Sequence, residues 1–119
     1  MRESGEMYLE TILVLKNQKN TVRSIDVAEE MNLSRPSVSR AMAKLRADEC
    51  IQIEPDGNIV FLEKGKKIAE KIYERHRVLS RMFMDLGVDE ETATEDACRI
   101  EHVISDKTFA ALKVRYKIK

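Results

Sequence analysis

The stretch SRPSVSRAMAKL, from Ser34 to Leu45, decides the fold of this chain. Ser34 can cap a helix by accepting a hydrogen bond from a backbone amide of the first turn. Pro36 falls in that turn, where its missing N–H does no harm. Apolar residues follow at helical spacing and give the helix a buried face: Val38, Met42 and Leu45. The pattern predicts a helix that ends near Asp48.

Two further segments precede this helix. Ser24 is a good N-cap, and it predicts a short helix that reaches about Met31. The residues NLS then form a tight turn, as in a helix-turn-helix motif. Closer to the start, the segment from Glu3 to Asn17 is predicted to be a helix, because its apolar residues share one face: Leu9, Ile12 and Leu13.

The segment IQIEPDGNIVFL, which follows the third helix, has a different periodicity. Ile51 and Ile53 alternate with polar residues, PDGN is typical of a turn, and Ile59 to Leu62 form a second strand. This order predicts a winged helix-turn-helix within residues 1–63. The alternative is a small helical domain with an incidental hairpin. The turn, the basic third helix and the hairpin agree with one another and favour the winged motif.

Residues 64–119 are predicted to form a second, helical domain, so the fold class is mainly α. A long helix runs from about Glu63 to Leu86 and is stopped by Gly87. Asp89 is suited to cap the next helix, and Ser105 or Asp106 the last one. The apolar positions of the long helix run at spacings of three or four and predict an inward stripe: Ile68, Ile72, Leu79, Phe83 and Leu86.

The bulk composition is that of a helix-rich chain, with 119 residues, 43% hydrophobic and 35% charged. No apolar run has the length of a membrane span, and no signal peptide opens the sequence. The two cysteines, Cys50 and Cys98, cannot build a disulfide framework, which predicts a reducing, cytoplasmic setting. Cys50 is expected to be a small buried apolar residue.

The net charge is zero, but the charges are unevenly distributed. The predicted third helix carries four bases and no acid, whereas the segment 85–101 carries seven acids and one base, Arg99. A basic recognition helix of this kind predicts contact with double-stranded DNA. The alternative for any single residue is a solvated surface charge. The candidates for DNA contact are Arg35, Pro36, Ser37, Ser39, Arg40 and Lys44.

The segment DACRIEHVIS, from Asp96 to Ser105, presents metal-ligand side chains beside an apolar stripe. Cys98, Glu101 and His102 stand at i, i+3 and i+4, which places them on one patch of a helix. Three residues elsewhere have compatible chemistry: His76, Met7 and Glu10. Together they offer sulfur, carboxylate and imidazole donors to a divalent transition metal. His76 alone could equally be a hydrogen-bonded core residue.

Two other functions fit parts of this pattern. A small metalloenzyme would need a metal with an open coordination position, but the chain has no other feature of a substrate pocket, so we expect no enzyme. A redox sensor would use Cys98, with the metal incidental. A structural zinc site would take more thiolates or a Cys/His pair of pairs and fits poorly.

The stretches EMYLETI, SRPSVSRAMAKL, EKGKKIAEKIYERHR and DACRIEHVISD together resemble the diphtheria-toxin-repressor family of iron- and manganese-dependent transcriptional regulators. The resemblance implies a homodimer that binds a palindromic operator when it is loaded with metal, mostly to repress. It also implies that the second domain binds metal and mediates dimerisation. The chain ends at Lys119, which suggests a member without the SH3-like domain.

The resemblance also implies a ligand set. The primary site of iron-type members would use Met7, Cys98, Glu101 and His102. Manganese-type members have an aspartate and a glutamate at the positions of Met7 and Cys98, so the chain is more similar to the iron type. The expected ion is Fe²⁺, with Mn²⁺, Co²⁺, Ni²⁺ or Zn²⁺ as substitutes in vitro.

A second site is less well matched. His76 matches a ligand of both subgroups, and Glu10 matches a ligand of the manganese type. Ser80 and Thr94 replace two ligands of the iron-type ancillary site. A second ion held by Glu10, His76 and Glu101 therefore stands as an expectation.

Overall fold

A computed structural model of the protein describes residues 3–116 and is mainly α-helical, as predicted. Its elements in chain order are α1 (Glu3–Gln18), α2 (Ser24–Met31), α3 (Arg35–Ala47), β1 (Ile51–Ile53), β2 (Ile59–Phe61), α4 (Glu63–Asp85), α5 (Glu90–Ile100) and α6 (Asp106–Arg115). The chain forms two compact units, 1–70 and 71–119. Among the described residues, no helix is both long and apolar enough to cross a membrane.

The first unit is a winged helix-turn-helix, as its sequence predicts. Its core joins α1, α2, α3 and the hairpin through fully buried side chains: Leu9, Ile12, Val27, Val38, Met42, Ile51 and Ile59. Cys50 belongs to the same core, and its burial raises the pKa of the thiol. The prediction that Cys50 is a small buried apolar residue is confirmed.

Helix capping sets the turn between α2 and α3. The predicted N-cap of α2, Ser24, is wrong by one position: the cap is Arg23, whose amide donates to the Asp26 carboxylate at 2.8 Å. Asn32 ends α2 in the left-handed conformation, with φ of 55°. Ser34 is the N-cap of α3, and its hydroxyl accepts from the amide of Ser37 at 3.3 Å. Local capping therefore fixes both ends of the tight turn: Asn32 ends α2, and Ser34 begins α3.

The hairpin forms the wing, and its neighbours hold it in place. β1 and β2 pair antiparallel, and the amide of Ile59 donates to the carbonyl of Val22 at 2.8 Å. The Asn58 side-chain oxygen accepts from the amide of Val22 at 3.0 Å and from Lys16 Nζ at 2.9 Å. Arg23 Nε donates to the carbonyl of Asp56 at 2.8 Å. The wing is thus tied to the end of α1 and to the loop before α2.

The first turn of α4 packs tightly against the start of β1. A Cβ atom on Gly65 would lie 2.1 Å from the carbonyl oxygen of Cys50, closer than any packing allows. Glycine is therefore required at position 65 for the backbones to approach. Its conformation is ordinary, so the cause is space and not the dihedral angles.

The second unit contains α5, α6 and α4 from Lys71 onward. Its buried apolar residues are Ile72, Val78, Leu79, Ala93, Ala97 and Phe109. Asp89 caps α5 by accepting from the amide of Thr92 at 2.9 Å, which lowers the pKa of Asp89. Ser105 caps α6. The inclusion of Leu86 in the inward stripe is wrong: α4 ends at Asp85, and Leu86 is 70% exposed.

Candidate metal centre and nucleic-acid interface

The segment DACRIEHVIS lies across the end of a helix. α5 ends at Ile100, so Glu101 and His102 belong to the following turn and not to the helix itself. Glu101 nevertheless keeps helical dihedral angles, φ −60° and ψ −25°, and its amide donates to Ala97 at 3.0 Å. The spacing of Cys98 and Glu101 therefore still places both side chains on one side.

Three donor groups meet in the second unit. His76 of α4, Cys98 of α5 and Glu101 have potential ligand atoms that all lie within 4.8 Å of one another. His76 Nδ1 lies 3.1 Å from Glu101 Oε2. The cluster combines one imidazole nitrogen, one sulfur and one carboxylate oxygen, all of which are ligand types for divalent transition metals.

The burial of Glu101 shows that this donor set fits a cation. Its side chain is 0% exposed, and Oε1 accepts no hydrogen bond from the described residues, lying 3.5 Å from His102 Nε2. Burying an ionised carboxylate costs on the order of several kcal/mol unless hydrogen bonds and an opposite charge offset the loss of water. A divalent ion bound by the Glu101 carboxylate would offset that cost.

Arg75, next to His76 on α4, escaped the sequence interpretation. It is 5% exposed, and its Nη1 donates to the carbonyls of Glu101, at 3.2 Å, and Ile104, at 2.6 Å. Its Nη2 pairs with Asp106. Lys71 also contacts Asp106, and these two cations hold the pKa of that carboxyl below its ordinary value, Lys71 contributing more. The sequence contains one indication that Arg75 is buried: it falls between Ile72 and Leu79 on the apolar stripe of α4.

The other predicted ligands have the following positions. Met7 and Glu10 lie one turn apart on α1, where Thr11 donates to the carbonyl of Met7 at 2.9 Å. They belong to the first unit, so their contribution to the metal site stays a prediction. Ser80 is buried on α4, and Thr94 is exposed on α5.

The predicted DNA-contact residues occupy the exposed side of α3 and its first turn. Five of the six are exposed: Arg35, Pro36, Ser39, Arg40 and Lys44. Ser37 is half-buried, with its hydroxyl 2.8 Å from that of Ser34 and 3.4 Å from Arg40 Nη2. The first turn contains no acid. Fold and charge together define a helix suited to the DNA major groove.

A winged helix-turn-helix and a helical unit with a metal-ligand cluster define a class of metalloregulators. Residues 1–59 match the model of the iron dependent repressor N-terminal DNA binding domain, and residues 62–117 match that of the iron dependent repressor metal binding and dimerisation domain. The chain belongs to the iron-dependent repressor family, as its sequence predicts. This is a family of transcriptional repressors and not of enzymes, which agrees with the prediction.

Individual relatives agree with this assignment. An HTH-type transcriptional regulator of Methanocaldococcus jannaschii is 34% identical over 96% of this chain and 93% of its own length. The diphtheria toxin repressor of Corynebacterium glutamicum is 31% identical over 88% of this chain and 46% of its own. The chain thus spans about half the length of that repressor. The solved structure of the manganese regulator SloR has a TM-score of 0.82 at 26% identity, covering 94% of this chain and 54% of SloR.

Proposed function

We propose that the protein is a transcriptional repressor that binds DNA when it is loaded with a divalent metal, with ferrous iron as the physiological ion. The observation that carries this proposal is the Glu101 carboxylate. It is fully buried beside His76 and Cys98, and its Oε1 accepts no hydrogen bond from the described residues. Such a group is costly without a cation and is stabilised by one. The family of the chain supports the same conclusion.

The proposed primary ligands are Met7, Cys98, Glu101 and His102. His76 and Glu10 are proposed for a second ion that shares Glu101. Thiolate and thioether are soft donors, which favour iron over manganese in this set. When bound, the ion supplies positive charge that draws these donor groups together, and the protein provides their order and burial.

The alternative is a manganese-responsive regulator of the same fold. Glu10 supports it, because the resemblance matches this position to a manganese-type ligand. The likeness to the manganese regulator SloR also supports it. Cys98 opposes it, since a thiolate is a poor partner for the harder Mn²⁺ ion.

DNA recognition is proposed to use Arg35, Pro36, Ser37, Ser39, Arg40 and Lys44. Arg40 and the serines lie where a recognition helix meets base edges, whereas Lys44 lies further along α3 and suits a phosphate. We further propose a homodimer on a palindromic operator, with domains at 1–63 and 64–119. Two recognition helices would then dock about one turn of DNA apart, or a multiple of that distance.

The test is anaerobic DNA binding as a function of metal. A duplex is first selected from a random-sequence pool with Fe²⁺-loaded protein, and its affinity is then measured by fluorescence anisotropy with Fe²⁺ and with chelator. We expect strong binding with Fe²⁺ alone and its loss in Glu101→Gln. Glu95→Gln, an exposed acid of α5, is the control and should bind like wild type. Equal affinity with metal and with chelator would refute the proposal.

A further inference from the structure

Arg75 is a buried cation that joins three segments of the second unit. From α4 its guanidinium reaches the carbonyls of Glu101 and Ile104, in the turn after α5. It also reaches the carboxylate of Asp106, at the start of α6, and lies 5.4 Å from the centre of the Phe109 ring. One side chain therefore connects α4, the turn of the ligand residues and α6.

These contacts have a geometric consequence for the turn. Glu101 and Ile104 lie in the turn after α5, where carbonyls have no partner within a helix, and a buried guanidinium supplies the hydrogen bonds that they need. Both carbonyls accept from Nη1, and the planar guanidinium fixes the directions of the two N–H bonds of that nitrogen, so it sets how the two carbonyls are placed relative to each other. The segment between those carbonyls contains Glu101 and His102, and the residue next to Arg75 on α4 is His76.

We propose that Arg75 is a positioning residue for the metal site, and that it couples the order of α6 to metal binding. By holding the turn from Glu101 to Ile104, it aims the Glu101 carboxylate at His76 and Cys98. By binding Asp106 and packing on Phe109, it makes the same turn depend on α6. Coupling of this kind is reciprocal, so metal stabilises α6 and a docked α6 strengthens metal binding. This inference rests on the proposed metal-dependent function.

Two rival roles for Arg75 make different predictions. If its charge mainly repels the metal, neutralising it tightens metal binding. If it only stabilises the fold, its loss changes metal affinity no more than the loss of another contact between α4 and α6. The ion pair of Lys113 with Glu74, at 2.8 Å, is such a contact and does not include the ligand turn.

The test is an anaerobic titration with Co²⁺, whose visible and near-ultraviolet absorption reports affinity and thiolate coordination without DNA. We expect Arg75→Met to weaken Co²⁺ binding by about 10- to 100-fold, the usual effect of losing a group that orients a ligand. Arg75→Lys keeps the charge but not the fork, so it should fall between Arg75→Met and wild type. Lys113→Met is the matched control and should bind Co²⁺ like wild type.

Hydrogen exchange of α6 provides the second measurement. Co²⁺ should increase amide protection in α6 of wild type and Lys113→Met, but not of Arg75→Met. Circular dichroism establishes that each variant is folded, and Arg75→Lys decides the result if Arg75→Met is not. Unchanged or tighter Co²⁺ binding by folded Arg75 variants overturns the inference alone. Failure of wild type to bind Co²⁺ overturns the proposed function and this inference with it.

Discussion

At the scale of single residues, the sequence predicts which side chains could bind a metal better than it predicts which groups surround each side chain. Ligand type and helical spacing point to Cys98 and Glu101, ligand type points to His76, and the structure brings these three side chains together. Arg75 was missed because an arginine on a helix is ordinarily solvated, and only tertiary structure shows which carbonyls it reaches. Ser24 is a favourable cap by residue type, but the Asp26 carboxylate accepts from the amide of Arg23, so Arg23 and not Ser24 is the cap.

Cys98 is the proposed ligand on which we expect the choice of metal to depend most. Replacing it by glutamate exchanges a soft donor for a hard one, so we expect Cys98→Glu to shift the preference of DNA binding from Fe²⁺ towards Mn²⁺. Cys98→Ser removes the strong ligand and should weaken the response to both ions. The measurement is operator affinity against each metal. A metal response that Cys98→Glu loses entirely would instead favour thiol chemistry as the sensor.

Gly65 reverses the usual effect of an alanine substitution in a helix. Gly→Ala normally stabilises a helix by up to about 1 kcal/mol. Here the new methyl group would meet the Cys50 carbonyl, so we expect Gly65→Ala to lower the free energy of unfolding by about 2 kcal/mol or more. Urea denaturation measures this change, with the exposed neighbour Lys66→Ala as the control. A gain in stability would show that α4 and β1 lie further apart.

At the scale of elements, the helices and the wing were predicted almost to their ends, because proline, glycine and capping residues mark them. The end of α5 was not, since nothing in DACRIEHVIS interrupts a helix. In the turn there, Arg75 binds the carbonyls of Glu101 and Ile104, a tertiary contact that the local sequence does not reveal. Leu86 was misplaced for a related reason: an apolar residue just beyond a helix end continues the periodicity without continuing the buried face.

Substitutions of Ser34, the N-cap of α3, should change stability and DNA binding independently. Ser34→Ala removes the acceptor for the Ser37 amide and should cost about 1 kcal/mol of unfolding free energy. Ser34→Asp restores a cap and the stability, but it adds a negative charge beside the proposed DNA contacts and should weaken operator binding. Urea denaturation and anisotropy on the same samples distinguish the two effects. Undiminished DNA binding by Ser34→Asp would place this helix end away from the phosphates.

The first turn of α2 should make the protein sensitive to acid. Lys19, 2.7 Å away, and the Arg23 amide hold the pKa of Asp26 below its ordinary value. The ionised form therefore favours the folded state, and its contribution is present above a pH of about 4 and is lost as the pH falls through the lowered pKa. We expect the difference in stability between wild type and Asp26→Asn to shrink in that acidic range.

Denaturation with urea at several pH values measures this difference. Glu30→Gln removes an exposed carboxylate from the same helix and is the control. A difference between wild type and Asp26→Asn that stays constant down to the lowest pH would contradict the role of the Asp26 charge.

At the scale of the whole molecule, a net charge of zero conceals a separation of charge along the chain. α3 carries four bases and no acid, whereas the segment 85–101 is strongly acidic. The electrostatic part of DNA binding should therefore come from a small number of residues and not from an overall positive charge. This separation of charge can be predicted from the sequence, because residues that are close together on one helix stay close together in the folded protein.

Salt dependence tests this distribution. The logarithm of operator affinity falls linearly with the logarithm of salt concentration, with a slope close to the number of phosphates neutralised. Lys44→Ala should lower that slope by about 1, whereas Arg99→Ala, in the acidic α5, should leave it unchanged. An equal loss of slope in the two variants would show that the operator contacts more than the α3 side of the molecule.

The contacts of Arg75 with the turn after α5 also bear on how such a sensor evolves. Its acceptors there are main-chain carbonyls, which every residue supplies, so the frame does not depend on which side chains occupy positions 101 to 104. Mutation can then exchange a proposed ligand in this turn, such as His102, while the scaffold that presents it persists. Descendants of one ancestral sequence can therefore come to respond to different metals through few substitutions, without a change of fold.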